Sequence, residues 1–513
     1  MLRTSFIRVI VKHHQHQFSS VKSLQQTMSS LLQSKAYING KWVNASDGGV
    51  FDVKNPANGK VIGNVPNMTV GDCQEAIDAA KRAFHSNDWS SLTAKQRSAL
   101  LKTWFRLIEQ NGQEIAEIMT AESGKPINES KGEVLYGNSF LEWFAEEARR
   151  IYGEIVPAPV TNRELLVMKQ PLGVAALITP WNFPLAMITR KAGAALAAGC
   201  TVVIKPAEDT PLTCLAVVKL AEDACIPKGL INDKLTKKAA PIGELLCKSP
   251  DVGTISFTGS TEVGKLLYRQ CADTVKRVSL ELGGNAPFIV FDSANLEKAV
   301  DGAMASKFRN CGQTCVSANR FFVQEGIYDR FINALKQRIE SLKIGSGEFD
   351  DTQIGPLVNE MQFNKITEYV EDARTNNAHV LTGGKRLSDL GELFYAPTVI
   401  TDVGPNARIY TEEVFGPIVS VIKFKTEEEA LEKANQTRRG LAGYFFSENL
   451  QQVFRVAKRL EVGMVGVNEG LISAAEAPFG GVKESGIGRE GCHYGIDEYV
   501  DVKYVCMGNL NYN

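Results

Sequence analysis

Two short stretches of the chain carry the side chains best suited to covalent chemistry. Cys315 lies among small and polar residues and is soon followed by the apolar run 321–323, the composition of a loop that leads into a buried strand. Glu281 precedes it by 34 residues and stands between two leucines, beside the glycine pair 283–284 that lets the backbone approach closely. A lone cysteine is most often a small buried hydrophobe. A thiol attacks a carbonyl well only as the thiolate, so such a reaction requires either a lowered pKa of the thiol or a base nearby.

The other cysteines and the histidines do not suggest a metal site. The ten cysteines contain no Cys-x-x-Cys pair, and their spacing indicates neither a zinc site nor a disulfide framework, so we expect free thiols and a reducing compartment. Of the six histidines, three lie within the first 16 residues, and there is no His-Glu-x-x-His motif. With so few histidines, a carboxylate is the better candidate for the base of Cys315.

The sequences around these two residues resemble the two signatures of the aldehyde dehydrogenase superfamily. Residues 280–284 read Leu-Glu-Leu-Gly-Gly, residues 312–315 read Gly-Gln-Thr-Cys, and their separation is that of the family. The resemblance extends over about residues 36 to 509. It implies that Cys315 is the nucleophile and Glu281 the general base. Attack would give a thiohemiacetal, hydride transfer would leave a thioester, and Glu281 would activate the water that releases the acid.

Two predicted buried strands end in polar turns that the family uses. The strand 174–178 leads to Asn182, whose side-chain amide would form an oxyanion hole with the backbone N–H of Cys315; one such donor is typically worth about 3 kcal/mol. The strand 201–205 ends at Lys205 and is followed by Glu208, and both side chains would contact the adenosine ribose. A carboxylate there binds a 2′-hydroxyl and repels a 2′-phosphate, so Glu208 favours NAD over NADP.

The resemblance implies that NAD is the cofactor. Residues 255–264 read as a strand, a glycine turn and a helix start whose backbone N–H groups can bind a pyrophosphate. Glu413 would hold the nicotinamide ribose, and Phe415 would pack on the ring. Residues 229–243, which border the adenine pocket in the family, depart from its pattern because they are charged and lack the turn glycine. The expected cofactor contacts are Ile178, Thr179, Pro180, Trp181, Lys205, Glu208, Gly259, Ser260, Leu282, Glu413 and Phe415.

Residues 187–191, Met-Ile-Thr-Arg-Lys, resemble the branch of the family that acts on succinate semialdehyde. In that branch Arg190, Arg309 and Ser473 would hold the distal carboxylate of the substrate, because the planar fork of arginine binds a carboxylate bidentately. The function implied is the oxidation of succinate semialdehyde to succinate, as in the degradation of 4-aminobutyrate.

Four more residues have expected roles close to the nucleophile. Phe479 would line the substrate funnel, and Lys191 with Glu490 would carry protons outward. Cys311 lies four residues before Cys315. A redox-sensitive disulfide between these two cysteines is a hypothesis that requires Cα atoms within about 7 Å of each other.

Two other functions fit part of this pattern. The chain could oxidise another small aldehyde, with Arg190 and Arg309 in structural ion pairs. It could also be a cofactor-independent thiol esterase or acyltransferase that uses Cys315, Asn182 and Glu281 alone, although such an enzyme has no use for the expected cofactor contacts. A catalytically silent relative is disfavoured because every expected catalytic residue is present.

Length and composition indicate an ordinary globular protein of more than one domain. At 513 residues the chain is too long for one hydrophobic core, and its net charge of −1 gives no support to nucleic-acid binding. No apolar run reaches the roughly 18 residues that span a bilayer. Small apolar runs alternate with amphipathic stretches, which predicts an α/β fold with buried parallel strands. The resemblance implies two parallel-sheet α/β domains and a small β extension for oligomerisation.

The resemblance also predicts the domain boundaries. Residues 31–151 and 168–281 would form the NAD-binding domain, 282–485 the catalytic domain, and 152–167 with 486–513 the strands that assemble a homodimer or homotetramer. The globular part would open with a hairpin over 36–43, turning at Asn39 and Gly40.

Residues 1–30 are basic and rich in serine. They include Arg3, Arg8, Lys12 and Lys22 and no acidic residue, which predicts a mitochondrial transit peptide and a matrix location. The alternatives are a disordered tail with no address, or a shorter cytosolic form that starts at Met28.

Overall fold

The computed structural model describes residues 31–510, so the predicted transit peptide lies outside the described residues. In chain order the strands are β1 (Ala36–Ile38), β2 (Lys41–Val43), β3 (Val50–Lys54), β4 (Val61–Pro66), β5 (Glu154–Val156), β6 (Glu164–Pro171), β7 (Val174–Ile178), β8 (Thr201–Lys205), β9 (Ile231–Asp233), β10 (Val252–Thr258), β11 (Arg277–Glu281), β12 (Ala286–Val290), β13 (Ala318–Gln324), β14 (His379–Thr382), β15 (Thr398–Thr401), β16 (Ile418–Phe424), β17 (Arg439–Gly440), β18 (Ala442–Phe446), β19 (Met464–Val467), β20 (Val482–Lys483), β21 (Gly486–Ile487) and β22 (Val500–Met507).

The helices connect these strands and cover both sheets. In chain order they are α1 (Val70–Phe84), α2 (Asn87–Ser90), α3 (Ala94–Gln110), α4 (Gly112–Ser123), α5 (Ile127–Glu147), α6 (Ala186–Ala198), α7 (Pro211–Asp223), α8 (Ala239–Lys248), α9 (Thr261–Cys271), α10 (Leu296–Phe308), α11 (Tyr328–Glu340), α12 (Glu360–Thr375), α13 (Arg408–Thr411), α14 (Glu427–Asn435), α15 (Leu450–Arg459) and α16 (Tyr494–Asp497). Within residues 31–510, no helix is long and apolar enough to cross a bilayer.

The first sheet is a six-stranded, mostly parallel sheet in the order β21-β11-β10-β7-β8-β9. Its central strands β7 and β8 are buried at every position, which is why they read as continuous apolar runs in the sequence. Ile178 pairs with both Phe257 and Lys205, and Thr258 pairs with Glu281. The carboxyl ends of β7, β8, β10 and β11 therefore meet at one edge, where ligands bind in open α/β sheets.

The second sheet has seven strands in the order β14-β15-β16-β13-β12-β18-β19, parallel except for β14. Phe288 lies at its centre, with its ring centroid 4.9 Å from Phe321 and 5.0 Å from Phe446. Residues 282–285 connect the end of β11 to the start of β12, so the chain passes there from one sheet to the other. The predicted α/β class with two parallel sheets is confirmed.

A third, three-stranded antiparallel sheet is formed by β22, β6 and β5. Its apolar side chains are unusually exposed, including Ile155, Val502 and Tyr504. These strands fall in or beside the ranges predicted for oligomerisation, and that assignment stays a prediction. β21 also falls in the predicted range 486–513, but it pairs with β11 of the first sheet.

The N-terminal hairpin is as predicted. Ala36 pairs with Val43, and the turn residues Asn39 and Gly40 both have positive φ, at 52° and 74°. The backbone N–H of Asn39 donates to Oδ1 of Asn232 at 2.9 Å, which ties the hairpin to β9 at the edge of the first sheet.

The atypical segment 229–243 faces this N-terminal region. The Asn67 side-chain oxygen accepts hydrogen bonds from the Thr236 hydroxyl at 3.2 Å and from the Lys237 backbone N–H at 3.0 Å. Lys234 is fully buried, and within the described chain its Nζ has no hydrogen-bond partner; its nearest carboxylate oxygen, on Asp72, is 3.9 Å away. Burial lowers the pKa of Lys234 to about 8, although the nearby Cys73 and Asp72 oppose the shift.

Replacing Lys234 with methionine is expected to stabilise the protein. A buried ammonium that makes no hydrogen bond and only a long ion pair is unfavourable, and methionine fills a similar volume, so we expect the thermal midpoint to rise by about 1–3 °C at pH 7. The pKa of Lys234 is lower in the folded protein than in the unfolded one. The free-energy cost of burying its charge is therefore full below pH 8 and is lost as the pH rises toward about 10.4. Calorimetry of both proteins from pH 7 to 10 checks this; a lower midpoint at pH 7 would refute it. Exposed Lys248, changed to methionine, is the control.

Candidate active site

A cavity of about 230 Å³ lies where the carboxyl edge of the first sheet meets the second sheet. It brings together the predicted nucleophile, base and oxyanion residue with most of the expected cofactor contacts. The lining residues are Pro180, Trp181, Asn182, Thr258, Gly259, Ser260, Glu281, Leu282, Gly283, Cys315, Met361, Gln362, Lys365, Glu413 and Phe415.

Cys315 follows a sharply bent segment, residues 309–312. Asn310 and Cys311 have φ of 52° and 56°, and Gly312 follows at 74°, so three consecutive residues adopt the left-handed conformation. Because two of these three residues are not glycine, the segment stores backbone strain next to the nucleophile. Gly284 packs against it as the sequence predicted: a Cβ at Gly284 would lie 2.5 Å from the Cys315 carbonyl oxygen.

The electrostatic setting of Cys315 keeps its thiol protonated. Burial raises the pKa of Cys315 to about 12, and the carboxylates of Glu413 and Glu281 add to this. Arg190 and the backbone N–H of Val316 act in the opposite direction. At neutral pH the thiol therefore needs a base before it can attack.

Glu281 ends β11 and is almost fully buried. Among the described residues, neither of its carboxylate oxygens has a hydrogen-bond partner. Burial raises its pKa well above the ordinary value and Glu490 adds to this, while Arg190 and Lys191 oppose it. A dry, unpartnered carboxylate with a raised pKa is the arrangement expected of a general base.

Asn182 lies in the turn between β7 and α6, and its side chain points to the segment that carries Cys315. Nδ2 donates to the Gln313 carbonyl oxygen at 3.1 Å, while Oδ1 has no partner within the described residues. A side-chain amide has two N–H donors, so one remains for an oxygen bound at Cys315. The backbone carbonyl of Asn182 accepts hydrogen bonds from Lys125 at 2.9 Å and from Asn310 at 3.0 Å.

Arg190, Lys191 and Glu490 form a buried charged cluster. Arg190 Nε lies 2.9 Å from Glu490 Oε2, and Lys191 Nζ contacts Glu490 Oε1 and donates to the Ser256 hydroxyl at 2.9 Å. Burial alone would raise the pKa of Glu490, but Lys191 and Arg190 outweigh it and hold that pKa below its ordinary value.

The aromatic side chains around Arg190 separate it from Arg309. The Arg190 guanidinium lies 4.2 Å from the ring centroid of Phe479 and 4.9 Å from that of Phe140. Phe140 in turn packs edge-on against Tyr136, the ring that Arg309 approaches at 5.4 Å. The two predicted substrate arginines therefore contact opposite members of one aromatic pair, and Arg190 also pairs with Glu490. Its Nη2 has no hydrogen-bond partner in the described structure.

A second cavity, of about 680 Å³, contains Arg309 and Ser473. The guanidinium of Arg309 lies 4.6 Å from the ring centroid of Phe183, the residue after Asn182, and the Arg309 carbonyl accepts the Thr314 hydroxyl at 3.2 Å. Glu129 lines the same cavity and accepts the Asn310 backbone N–H at 2.6 Å; burial raises its pKa to about 7. The second cavity thus adjoins the segment that leads to Cys315.

The expected cofactor residues lie along the same edge of the first sheet. Lys205 pairs with Glu208 at 3.1 Å, and Ser260 caps α9 by accepting the Val263 N–H at 3.3 Å. Glu413 accepts the Gly284 N–H at 2.9 Å. Ile178 ends β7, and Thr179 follows it directly.

Some site residues were not predicted from the sequence. Met361, Gln362 and Lys365, on the first turns of α12, line the Cys315 cavity, and Gln362 donates to the Phe415 carbonyl at 3.0 Å. Nothing in the local sequence marks them, because an ordinary amphipathic helix gives no sign of what its first turn faces.

Cys311 is a free, buried thiol, and Cys315 is a free, half-buried one. Burial raises the pKa of Cys311 to about 12, Glu129 adds to this, and the neighbouring Lys307 opposes it. The hypothesis of a redox-sensitive disulfide between the two cysteines stays a prediction.

The family profile, the similar sequences and the similar structures of known proteins all indicate one family. The profile of the aldehyde dehydrogenase family matches residues 42–505. The chain is 54% identical over 485 residues to the mitochondrial succinate-semialdehyde dehydrogenase of Homo sapiens, covering 94% of this chain and 90% of that protein. It is 51% identical over 480 residues to the succinate-semialdehyde dehydrogenase [NADP(+)] of Escherichia coli (strain K12), covering 94% and 99%. A crystal structure of succinate-semialdehyde dehydrogenase from Burkholderia pseudomallei superposes with a TM-score of 0.92 at 50% identity, covering 94% and 99%.

Proposed function

The chain belongs to the aldehyde dehydrogenase family, and on that premise we propose that it oxidises succinate semialdehyde to succinate with NAD⁺ through Cys315. The observation that carries the substrate assignment is the pair Arg309 and Ser473, which line one cavity directly beside the Asn182 turn. A cation and a hydroxyl in a cavity that adjoins the segment leading to Cys315 suit a short aldehyde with a carboxylate at its other end.

The residues at the edge of the first sheet fit a nicotinamide cofactor. The hydroxyls of Thr179 and Thr258 are buried and lack hydrogen-bond partners among the described residues, so polar capacity is left for a ligand. Trp181 and Phe415 meet edge to face at 5.5 Å beside Cys315 and supply flat apolar walls. When bound there, the cofactor would supply the hydride acceptor.

The protein's own residues then carry the remaining chemistry. Glu281 removes the proton of Cys315, directly or through water, and the thiolate attacks the aldehyde carbon. The Asn182 amide and the backbone N–H of Cys315 stabilise the resulting oxyanion. Lys191 with Glu490 carries the thiol proton outward, so that Glu281 is again a carboxylate when the thioester has formed. Glu281 then activates a water molecule that releases the acid, and the second proton leaves by the same route.

We assign the distal carboxylate to Arg309 and Ser473, with Arg190 as a second positive charge. Nε of Arg190 forms an ion pair with Glu490, and its Nη2 has no hydrogen-bond partner in the described residues. Arg190 would therefore bind the substrate carboxylate through its positive charge or through a hydrogen bond from Nη2. Phe479, which packs on Arg190, would form the wall between this charge and the aldehyde.

NAD is the proposed cofactor because the Glu208 carboxylate, paired with Lys205 at the end of β8, would bind a ribose 2′-hydroxyl and repel a 2′-phosphate. The names of the relatives differ on this point, since that of the Escherichia coli protein specifies NADP(+). We further propose a mitochondrial matrix location, supported by the basic leader and by the mitochondrial relatives, and assembly into a dimer or tetramer through the sheet β22-β6-β5.

The direct test is cofactor reduction by the purified protein with succinate semialdehyde and with butyraldehyde, each with NAD⁺ and with NADP⁺. Charged hydrogen bonds are worth about 1.5–3 kcal/mol each, so we expect a preference of roughly a hundredfold or more in kcat/KM for the acid aldehyde, with NAD⁺ favoured. Equal rates for the two aldehydes would remove the carboxylate site and leave a dehydrogenase for another small aldehyde.

A further inference from the structure

A buried ion pair lies behind the turn that carries Asn182. Nζ of Lys125 contacts Oε2 of Glu133, and the two side chains are 1% and 0% exposed. Neither residue is among those that line the cavity at Cys315. Burying two charges is costly unless each makes further hydrogen bonds, and both do.

The ion pair holds both ends of this turn. Lys125 Nζ donates to the carbonyl oxygen of Asn182 at 2.9 Å. Glu133 Oε1 accepts the backbone N–H groups of Leu185 at 2.9 Å and Ala186 at 3.2 Å, which are donors at the start of α6 that no carbonyl of the helix can satisfy. Lys125 therefore fixes the carbonyl of Asn182, and Glu133 fixes the backbone three residues later.

The helix that carries Glu133 is itself packed tightly against α6. Gly137 approaches so closely that a Cβ there would lie 2.8 Å from the Ala186 Cα. The Thr189 hydroxyl donates to the Gly137 carbonyl at 2.6 Å. Because α5 and α6 are in close contact at this point, a shift of Glu133 would also shift the turn before α6.

The side chain of Asn182 is held from the opposite side. Its Nδ2 donates to the Gln313 carbonyl, and Asn310 donates to the Asn182 carbonyl that also accepts Lys125. With its backbone fixed from both sides, the amide has little freedom to rotate away from Cys315. Donors of an oxyanion hole act through such preorganisation, and a small displacement removes much of their effect.

We propose that Lys125 and Glu133 are positioning residues of the oxyanion hole, holding the Asn182 amide in the direction of the oxygen that becomes negatively charged during attack by Cys315. This inference rests on the proposed function, because it takes Asn182 as an oxyanion donor. It adds that a buried ion pair out of contact with the substrate determines how well that donor works.

The test uses Lys125→Met, which keeps the length of the side chain but removes the charge and the donor. We expect the single-turnover rate of cofactor reduction to fall about 30- to 300-fold for succinate semialdehyde and butyraldehyde alike, with KM changed less than about threefold. Alkylation of Cys315 by iodoacetamide forms no oxyanion, so its rate should stay within about threefold of the wild type. Glu133→Gln should show the same pattern to a smaller extent.

Glu122→Gln is the matched control. Glu122 is also a buried carboxylate that accepts two backbone N–H groups at a helix start, those of Leu212 and Thr213, but it is not in contact with Asn182. We expect it to lower the thermal midpoint without lowering the single-turnover rate at saturating cofactor.

Three results would overturn the inference: an unchanged single-turnover rate in folded Lys125→Met, parallel losses of reduction and alkylation, or an equal loss in Glu122→Gln. If Lys125→Met does not fold, Glu133→Gln decides by the same criteria. Failure of the proposed function is separate, since the wild-type protein would then reduce no cofactor with either aldehyde.

Discussion

Replacing Cys315 with alanine is expected to lower the rate of cofactor reduction by at least about 10⁴-fold, because the covalent adduct can no longer form. Cys315 is the one cysteine among the residues that line the cavity of the candidate site, so no neighbouring thiol can substitute for it. The rate is read from the absorbance of the reduced nicotinamide, with succinate semialdehyde as substrate. Cys311→Ala is the control, and we expect its rate to stay within about threefold of the wild type because Cys311 is buried and lines no part of this cavity.

Glu281→Gln should separate the two halves of the reaction. If Glu281 activates the water that releases the acid, rapid mixing should still give a burst of reduced cofactor, followed by a steady-state rate about 10²- to 10⁴-fold below the wild type. Because burial raises the pKa of Glu281, its carboxylate becomes available only as the pH rises above the ordinary range of a glutamate. The wild-type steady-state rate should therefore increase as the pH rises through the raised pKa of Glu281, and this increase should be absent in Glu281→Gln. A full steady-state rate in either the Cys315 or the Glu281 variant is incompatible with the mechanism.

Arg309→Gln is expected to lower kcat/KM for succinate semialdehyde by about 10- to 150-fold while leaving butyraldehyde within about threefold, since only the former carries the carboxylate that a guanidinium binds. Initial rates with both aldehydes at saturating NAD⁺ measure this difference. Equal losses for the two substrates would assign Arg309 to the support of Phe183, on which it stacks, instead of to the carboxylate.

Arg338→Gln provides the comparison for Arg309. Arg338 lines the same cavity, but it is half exposed and already paired with Asp301 at 2.7 Å. A screened, neutralised pair contributes little to binding a third charge, so we expect less than about a threefold change with either aldehyde.

The sequence predicts the chemistry better than the arrangement of the charged residues around it. Cys315, Glu281 and Asn182 are each marked by a distinctive local motif, and the alternation of apolar runs and helices predicts the parallel sheets whose edges bring these motifs together. The contact between two of these motifs, Gly284 against the backbone of Cys315, follows from the residue type, because glycine has no Cβ.

Partners from distant parts of the chain are not predictable in this way. Arg190 is predicted to bind the distal carboxylate of the substrate together with Arg309, but its ion pair with Glu490, which comes 300 residues later, is not marked in the sequence around it. Lys125 and Glu133 are marked by no motif that the sequence analysis identifies, and their importance depends on the Asn182 turn, whose two ends they hold. The contacts that the charged segment 229–243 makes with Asn67 are likewise not predictable from its local sequence, and its position at the adenine pocket stays a prediction.

The crossing of the chain between the two sheets has a consequence during synthesis. Glu281 closes a strand of the first sheet, Cys315 precedes a strand of the second, and Glu490, the partner of Lys191, comes near the carboxyl terminus. A growing chain that already includes Cys315 therefore has no completed reaction centre until almost all of it has left the ribosome.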